Sequence, residues 1–300
     1  MSSLKSVLLA VACVVMAGAW SGVSAAPSFQ GPGKCADCHK PETAVWQKSK
    51  HATIFREIHR NPKVKAIVTA AGGDANMRRN TVCTQCHYTM VTEAGKPPTA
   101  TTGPSCESCH GASSDWMPLH NSRAPDRMQK AAAGGMIWPS MLYDIAENCL
   151  SCHGLARPDV PPATFAKMID AGHPGGTEFE LVKYLEGSVR HRFYPPDTTK
   201  NQEMNPAELS RTFITGHAAG LVLVATSLGK GSNPKYEETL KKIEAGARAA
   251  LDAIKGQTPE AAALLAQPTE ANARKLVEAI KGKDLSAQVR SLLPAKNTYK

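Results

Sequence analysis

Cys83-Thr84-Gln85-Cys86-His87, a loop carrying Gly95, Pro97, Pro98, Gly103 and Pro104, then Cys106-Glu107-Ser108-Cys109-His110-Gly111: residues 83–111 hold two Cys-x-x-Cys-His units in one short stretch. Two thiols at this spacing can add to the two vinyl groups of one porphyrin while the adjoining imidazole takes its iron, so the stretch points to covalently attached c-type haem. The same unit recurs as Cys35-Ala36-Asp37-Cys38-His39 and as Cys149-Leu150-Ser151-Cys152-His153. Four covalent haems are therefore expected, with His39, His87, His110 and His153 as proximal iron ligands.

Zinc ribbons and disulfides are the ordinary alternatives for paired cysteines. A tetrahedral zinc site needs no histidine directly after every second cysteine, yet all four units have one. Chance would place histidine there four times on the order of once in a million sequences of this composition. Every cysteine except Cys13 belongs to a unit, so none is left over for a disulfide.

Working outward, residues 1–26 carry one cation, Lys5, an apolar run from Val7 to Ala19, and small residues at Ser24, Ala25 and Ala26. This pattern predicts a secretory leader cleaved after Ala25 or Ala26, taking Cys13 with it, because the run is too short to span a bilayer comfortably. Val14, Val15 and Met16 continue the apolar run after Cys13, which argues against a lipid-anchored cysteine. Export agrees with haem attachment, and a periplasmic location is expected. No later segment approaches the roughly 20 apolar residues of a membrane span. The formal charge is +9. Haem propionates would offset much of it, so no nucleic-acid partner is expected; a surface for docking charged redox proteins is.

Pro41 to Asn61 has helical spacing, with His51 and His59 on it. His51 follows His39 by about 18 Å of helix, too far to share an iron, so it is expected to serve another unit. His120 lies beyond a Pro-marked turn, and His173 and His191 sit at turns between helical segments, contexts suited to distal ligation. His59 lacks such a context, and His217 lies inside an apolar helix that opens at Asn205-Pro206. Beyond it the chain is rich in Ala, Leu, Lys and Glu with helical spacing and has no Cys, His or Trp from residue 218 on.

The expected fold is mainly α: short helices and loops wrapped round four haems over residues 27–200, then a helical C-terminal extension over 201–300. Aromatic content is only 5%, so porphyrins are expected to supply much of the core.

The order of the units, Trp46-x-x-Ser49-x-His51-Ala52 after the first, and Gly103-Pro104-Ser105-Cys106-Glu107-Ser108-Cys109-His110-Gly111 at the third resemble the tetrahaem cytochromes c typified by cytochrome c-554, electron acceptors of hydroxylamine oxidoreductase in ammonia-oxidising bacteria. The resemblance runs from about Lys34 to His191. It implies a helical fold with closely stacked haem pairs, and distal ligands at His51, His120 and His191. In that family the second haem lacks a distal ligand, whereas here His173 is a further candidate.

The expected role is an electron carrier between redox protein donors and acceptors, not an enzyme. An enzyme acting on a small nitrogen compound at a five-coordinate haem, or a subunit of an extracellular haem conduit, are the rival readings. A Lys-ligated haem unit of the kind found in the related nitrite reductases is absent.

Overall fold

The computed structural model describes residues 26–175, 179–230 and 233–300. The leader expected over residues 1–26 falls, up to Ala25, outside the described residues. What is described is mainly helical, with one small antiparallel hairpin in which Thr89–Val91 pairs with Thr99–Thr102. The hairpin was not expected. Its β-branched residues suit a pleated strand and Gly95, at φ 74°, makes the turn between them.

The helix expected from Pro41 to Asn61 is interrupted. It forms as Lys40–Lys48 and Lys50–Glu57, with Ser49 extended between them. The serine hydroxyl donates to the Trp46 carbonyl at 2.7 Å and caps the second helix by accepting from the Ala52 N–H. A residue that can bond its own backbone in this way competes with helix continuation. The redirected chain carries His51 away from the first unit.

Each Cys-x-x-Cys unit sits in or beside a short helix. Thr81–His87 is capped by Asn80, which accepts from the N–H groups of Val82 and Cys83 and donates to the carbonyls of Gly72 and Asp74, ordering the polar loop before the second unit. Cys106–His110 opens with a reciprocal cap between Ser105 and Ser108. The fourth unit ends a longer helix, Leu142–His153.

From residue 206 the helices lengthen. Pro206–Ser227 begins with a capping box between Asn205 and Glu208, and Pro234–Asp252, Pro259–Ala266 and Glu270–Ala279 follow, each with a proline or a capping threonine at its start. Leu240, Leu251, Ile254, Leu264, Leu276 and Ile280 are fully buried. At about 1.5–3 kcal/mol for each such side chain, this is where most apolar stabilisation resides. The same core takes in Tyr143, Ala146 and Leu150 from the fourth unit's helix and Phe165, Met168 and Ile169 from Pro162–Asp170. Residues 206–289 thus pack directly on the fourth unit. The outer faces carry ion pairs at helical spacing, such as Lys242–Glu238, Arg248–Glu244 and Lys281–Glu278.

Candidate functional site

Three residues apart on a helix, the cysteines of a unit lie on one side with the following histidine. All eight described cysteines are free thiols. Among the described residues, His, Cys, Asp and Glu do not converge in groups of three or more on a common point. The histidines come instead in pairs.

His39 faces His120 with ring centres 6.4 Å apart, His51 faces His153 at 6.0 Å, His87 faces His173 at 6.1 Å, and His110 faces His191 at 6.1 Å. Two imidazoles bound to opposite sides of one metal stand with ring centres about 6 Å apart, since each metal–nitrogen bond is about 2 Å and the ring centre lies about 1 Å beyond. Every unit histidine therefore has a second imidazole opposite it at the separation a six-coordinate iron requires. His51 stands beside the fourth unit, and His173 beside the second, for which the resemblance implied no distal ligand.

Backbone carbonyls orient the rings. The Nδ1 of His110 lies 2.9 Å from the Ile137 carbonyl, that of His120 2.6 Å from Met117, that of His173 2.8 Å from Pro174, and that of His191 2.5 Å from Val189. A carbonyl only accepts, so Nδ1 carries the proton and Nε2 keeps its lone pair for a metal. Burial reinforces neutrality. It pushes His51, His110 and His173 below the ordinary imidazole value, and His87 and His153 down to about 4, with neighbouring cations and imidazoles adding to the effect. Phe179 stacks on His153 at 4.9 Å and Tyr184 lies 5.4 Å from it, so one side of that imidazole is packed in aromatic surface.

The units also come together two by two. Cys35 of the first lies close enough to Cys106 of the third for the two thiols to interact, and Cys86 of the second lies likewise close to Cys152 of the fourth. At the first junction the carboxylate of Glu107, 1% exposed, accepts from the N–H groups of Gln30, Gly31 and Ser113 and from the Ser113 hydroxyl. Both its oxygens are occupied by donors, the arrangement that suits an ionised group. This anchor brings the segment before Cys35 onto the third unit. At the second junction Arg157 donates through Nη2 to the Gln85 carbonyl at 2.9 Å and to the Cys152 sulfur at 3.0 Å, while its Nε is buried without an acceptor. The neighbouring Cys86 thiol and the Arg157 guanidinium pull the Cys152 thiol down, while Cys86 is pushed up. Asn148 ties the two junctions together, donating to the carbonyls of Ser108 at 2.7 Å and Cys109 at 3.2 Å.

Close backbone approach adds a further constraint. A Cβ at Gly103 would lie 2.0 Å from the His51 carbonyl oxygen, so only glycine lets the turn before the third unit pass the helix that carries His51.

Two histidines stay outside the pairs. His59 is exposed on the turn Ile58–Arg60. His217 lies inside Pro206–Ser227, edge-on to Phe213 at 4.3 Å, and burial pushes it down to about 4. Glu107, Arg157 and Asn148 escaped the sequence reading. A charged residue inside a Cys-x-x-Cys unit is a visible signal for Glu107; Arg157 and Asn148 gain their meaning only from the contact between units.

Free thiols at helical spacing, paired neutral imidazoles at metal-spanning separation and carbonyls fixing Nδ1 are the donor types that a c-type cytochrome uses to hold a covalent haem. Residues 34–111 match the family model described as cytochrome c554 and c-prime. Cytochrome c-554 of Nitrosomonas europaea is 26% identical over 202 residues, covering 61% of this chain and 84% of that protein. Both matches are to cytochrome c-554-like proteins, a family whose cofactor is covalently bound c-type haem. No solved structure matches it.

Proposed function

We propose that the chain carries four covalent haems and moves electrons between redox proteins in the periplasm, without substrate chemistry of its own. The assignments are Cys35, Cys38, His39 and His120 for the first haem; Cys83, Cys86, His87 and His173 for the second; Cys106, Cys109, His110 and His191 for the third; and Cys149, Cys152, His153 and His51 for the fourth. The observation that carries this reading is the set of four imidazole pairs with ring centres 6.0–6.4 Å apart. When bound, each haem supplies a one-electron ferric–ferrous couple, and the protein tunes it through axial ligands and burial.

The paired histidines weigh against the enzyme alternative. With an imidazole opposite every unit histidine, a small nitrogen compound must displace a ligand before it can bind iron. The conduit alternative shares the same chemistry and differs only in its neighbours. Among the described residues no helix is long and apolar enough to cross a membrane.

Mass measurement of the exported protein is expected to show four haem additions after loss of about 25 residues. Electron paramagnetic resonance of the oxidised form should show low-spin ferric haem throughout, with no rapid stoichiometric binding of cyanide or nitric oxide. Replacing His51 by Ala (H51A) should keep all four attachments and convert one haem, the fourth, to high spin. A high-spin signal in the unaltered protein, with steady turnover of a nitrogen compound, would favour the enzyme.

A further inference from the structure

We propose that two charges of opposite sign, buried Glu107 at the junction of units one and three and half-buried Arg157 at the junction of units two and four, polarise the row of haem sites, so that an electron rests more favourably on the second pair. This rests on the haem reading above.

Glu107 is buried and Arg157 half-buried. Glu107 is held by N–H and O–H donors alone, and Arg157 by the Gln85 carbonyl and the Cys152 sulfur. Among the described residues neither enters an ion pair. Each sits at a junction between units: Glu107 is itself a residue of the third unit and binds the segment before Cys35, and Arg157 reaches the Gln85 carbonyl of the second unit and the Cys152 sulfur of the fourth. Adding an electron to a site makes it one unit more negative, so a nearby cation stabilises the reduced form and a nearby anion destabilises it. Out of water the effect is weakly screened.

The neighbouring charges agree in sign. Glu42 lies 3.9 Å from the Nδ1 of His39, on the side of Glu107, and the Lys300 ammonium lies 5.9 Å from the ring of Tyr184, which packs beside His153 on the side of Arg157. Arg190 and Arg192 flank His191, but each is paired, with Glu186 and Glu203 in one case and Glu208 in the other. Glu180, next to Phe179, is balanced by the N–H groups of Val182 and Lys183 and by the Lys183 cation.

Asn148 places the third unit against the fourth, so the slope runs from units one and three, across that contact, to units four and two. Each transfer oxidises one ferrous iron in the first pair and reduces one ferric iron in the second. No proton or ligand is exchanged. A one-electron redox protein supplies the electron at the first pair and another removes it at the second.

The test is a spectroelectrochemical titration of the holoprotein, with four attached haems verified by mass in each variant. Arg157→Gln should lower two of the four midpoint potentials and leave the other two in place, while Arg157→Lys, which keeps the charge, should leave all four near their original values. Glu107→Gln should raise the two that Arg157→Gln leaves alone. If the glutamine does not hold the donors around it and that variant fails to mature, the two arginine variants decide the sign. The proposal is overturned if Arg157→Gln moves no potential, moves all four alike or moves any upward, or if Arg157→Lys shifts them as far as glutamine does. Fewer than four haems in the unaltered protein would instead strike the haem reading itself.

Discussion

The stretch from Gln30 to about residue 140 and the stretch from residue 206 onward are held together by different physics. The first has a small apolar cluster of its own, Trp116, Ala131 and Met136, lends Ile67, Ala70, Ala71 and Val82 to the edge of the larger core, and takes its fixed points from polar groups: Glu107 gathering N–H groups, Asn80 pinning a loop, carbonyls orienting imidazoles. The second has a continuous core of buried Leu, Ile and Ala. Ordinary apolar burial is enough to fold the second. The first has too little of it to offset chain entropy and depends on its anchors and its cofactor.

Breaking the polar anchor tests this most severely. Glu107→Ala leaves the buried N–H groups of Gln30, Gly31 and Ser113 without an acceptor. At about 1–3 kcal/mol per orphaned donor, a loss of about 4 kcal/mol is expected, concentrated in the first region. Hydrogen exchange should show protection falling around residues 28–39 and 104–114 and holding in 234–289. Uniform loss would erase the distinction.

A cavity in the apolar region should do the reverse. Leu240 is fully buried, and Leu240→Ala is expected to cost about 3 kcal/mol in chemical denaturation. The haem spectrum should be unchanged, because no imidazole pair draws a residue from that helix. A spectral change would mean that the two regions are one cooperative unit.

The third effect is smaller and depends on pH. His217 is held down to about 4 by burial, below its unfolded value near 6.5, so the folded state binds fewer protons than the unfolded state. The stability it contributes is complete above about pH 6.5 and is lost as pH falls toward 4, about 2 kcal/mol between pH 7 and pH 5. His217→Phe should flatten this part of the stability profile, as followed by thermal unfolding at a series of pH values. An unchanged slope would assign the acid sensitivity to the first region.

What was legible in the sequence follows the same divide. The units are covalent chemistry written in contiguous residues, and the C-terminal helices announce themselves through caps and periodicity, as at Asn205-Pro206 and Thr269-Glu270. The hairpin was hidden because Thr89–Val91 is too short to show a period. The break at Ser49 was hidden by an apolar spacing that runs through it, although the serine was the available clue. Which histidines face each other lay beyond reach, since each pair joins distant parts of the chain and depends on how Glu107, Arg157 and Asn148 set one unit against another.

Those distances along the chain have a consequence for how the molecule is made. The paired imidazoles are roughly 80–100 residues apart in sequence, a topology of high contact order that folds slowly. As the polypeptide emerges from its N-terminus, the His39–His120 pair can close first, His51–His153 next, then His87–His173, and His110–His191 last. The third unit, though made before the fourth, is the last to receive its partner. A growing chain therefore passes through a stage with all four units exposed to the attachment machinery and half of the imidazole pairs still open, which leaves time for covalent bonding before the site walls shut.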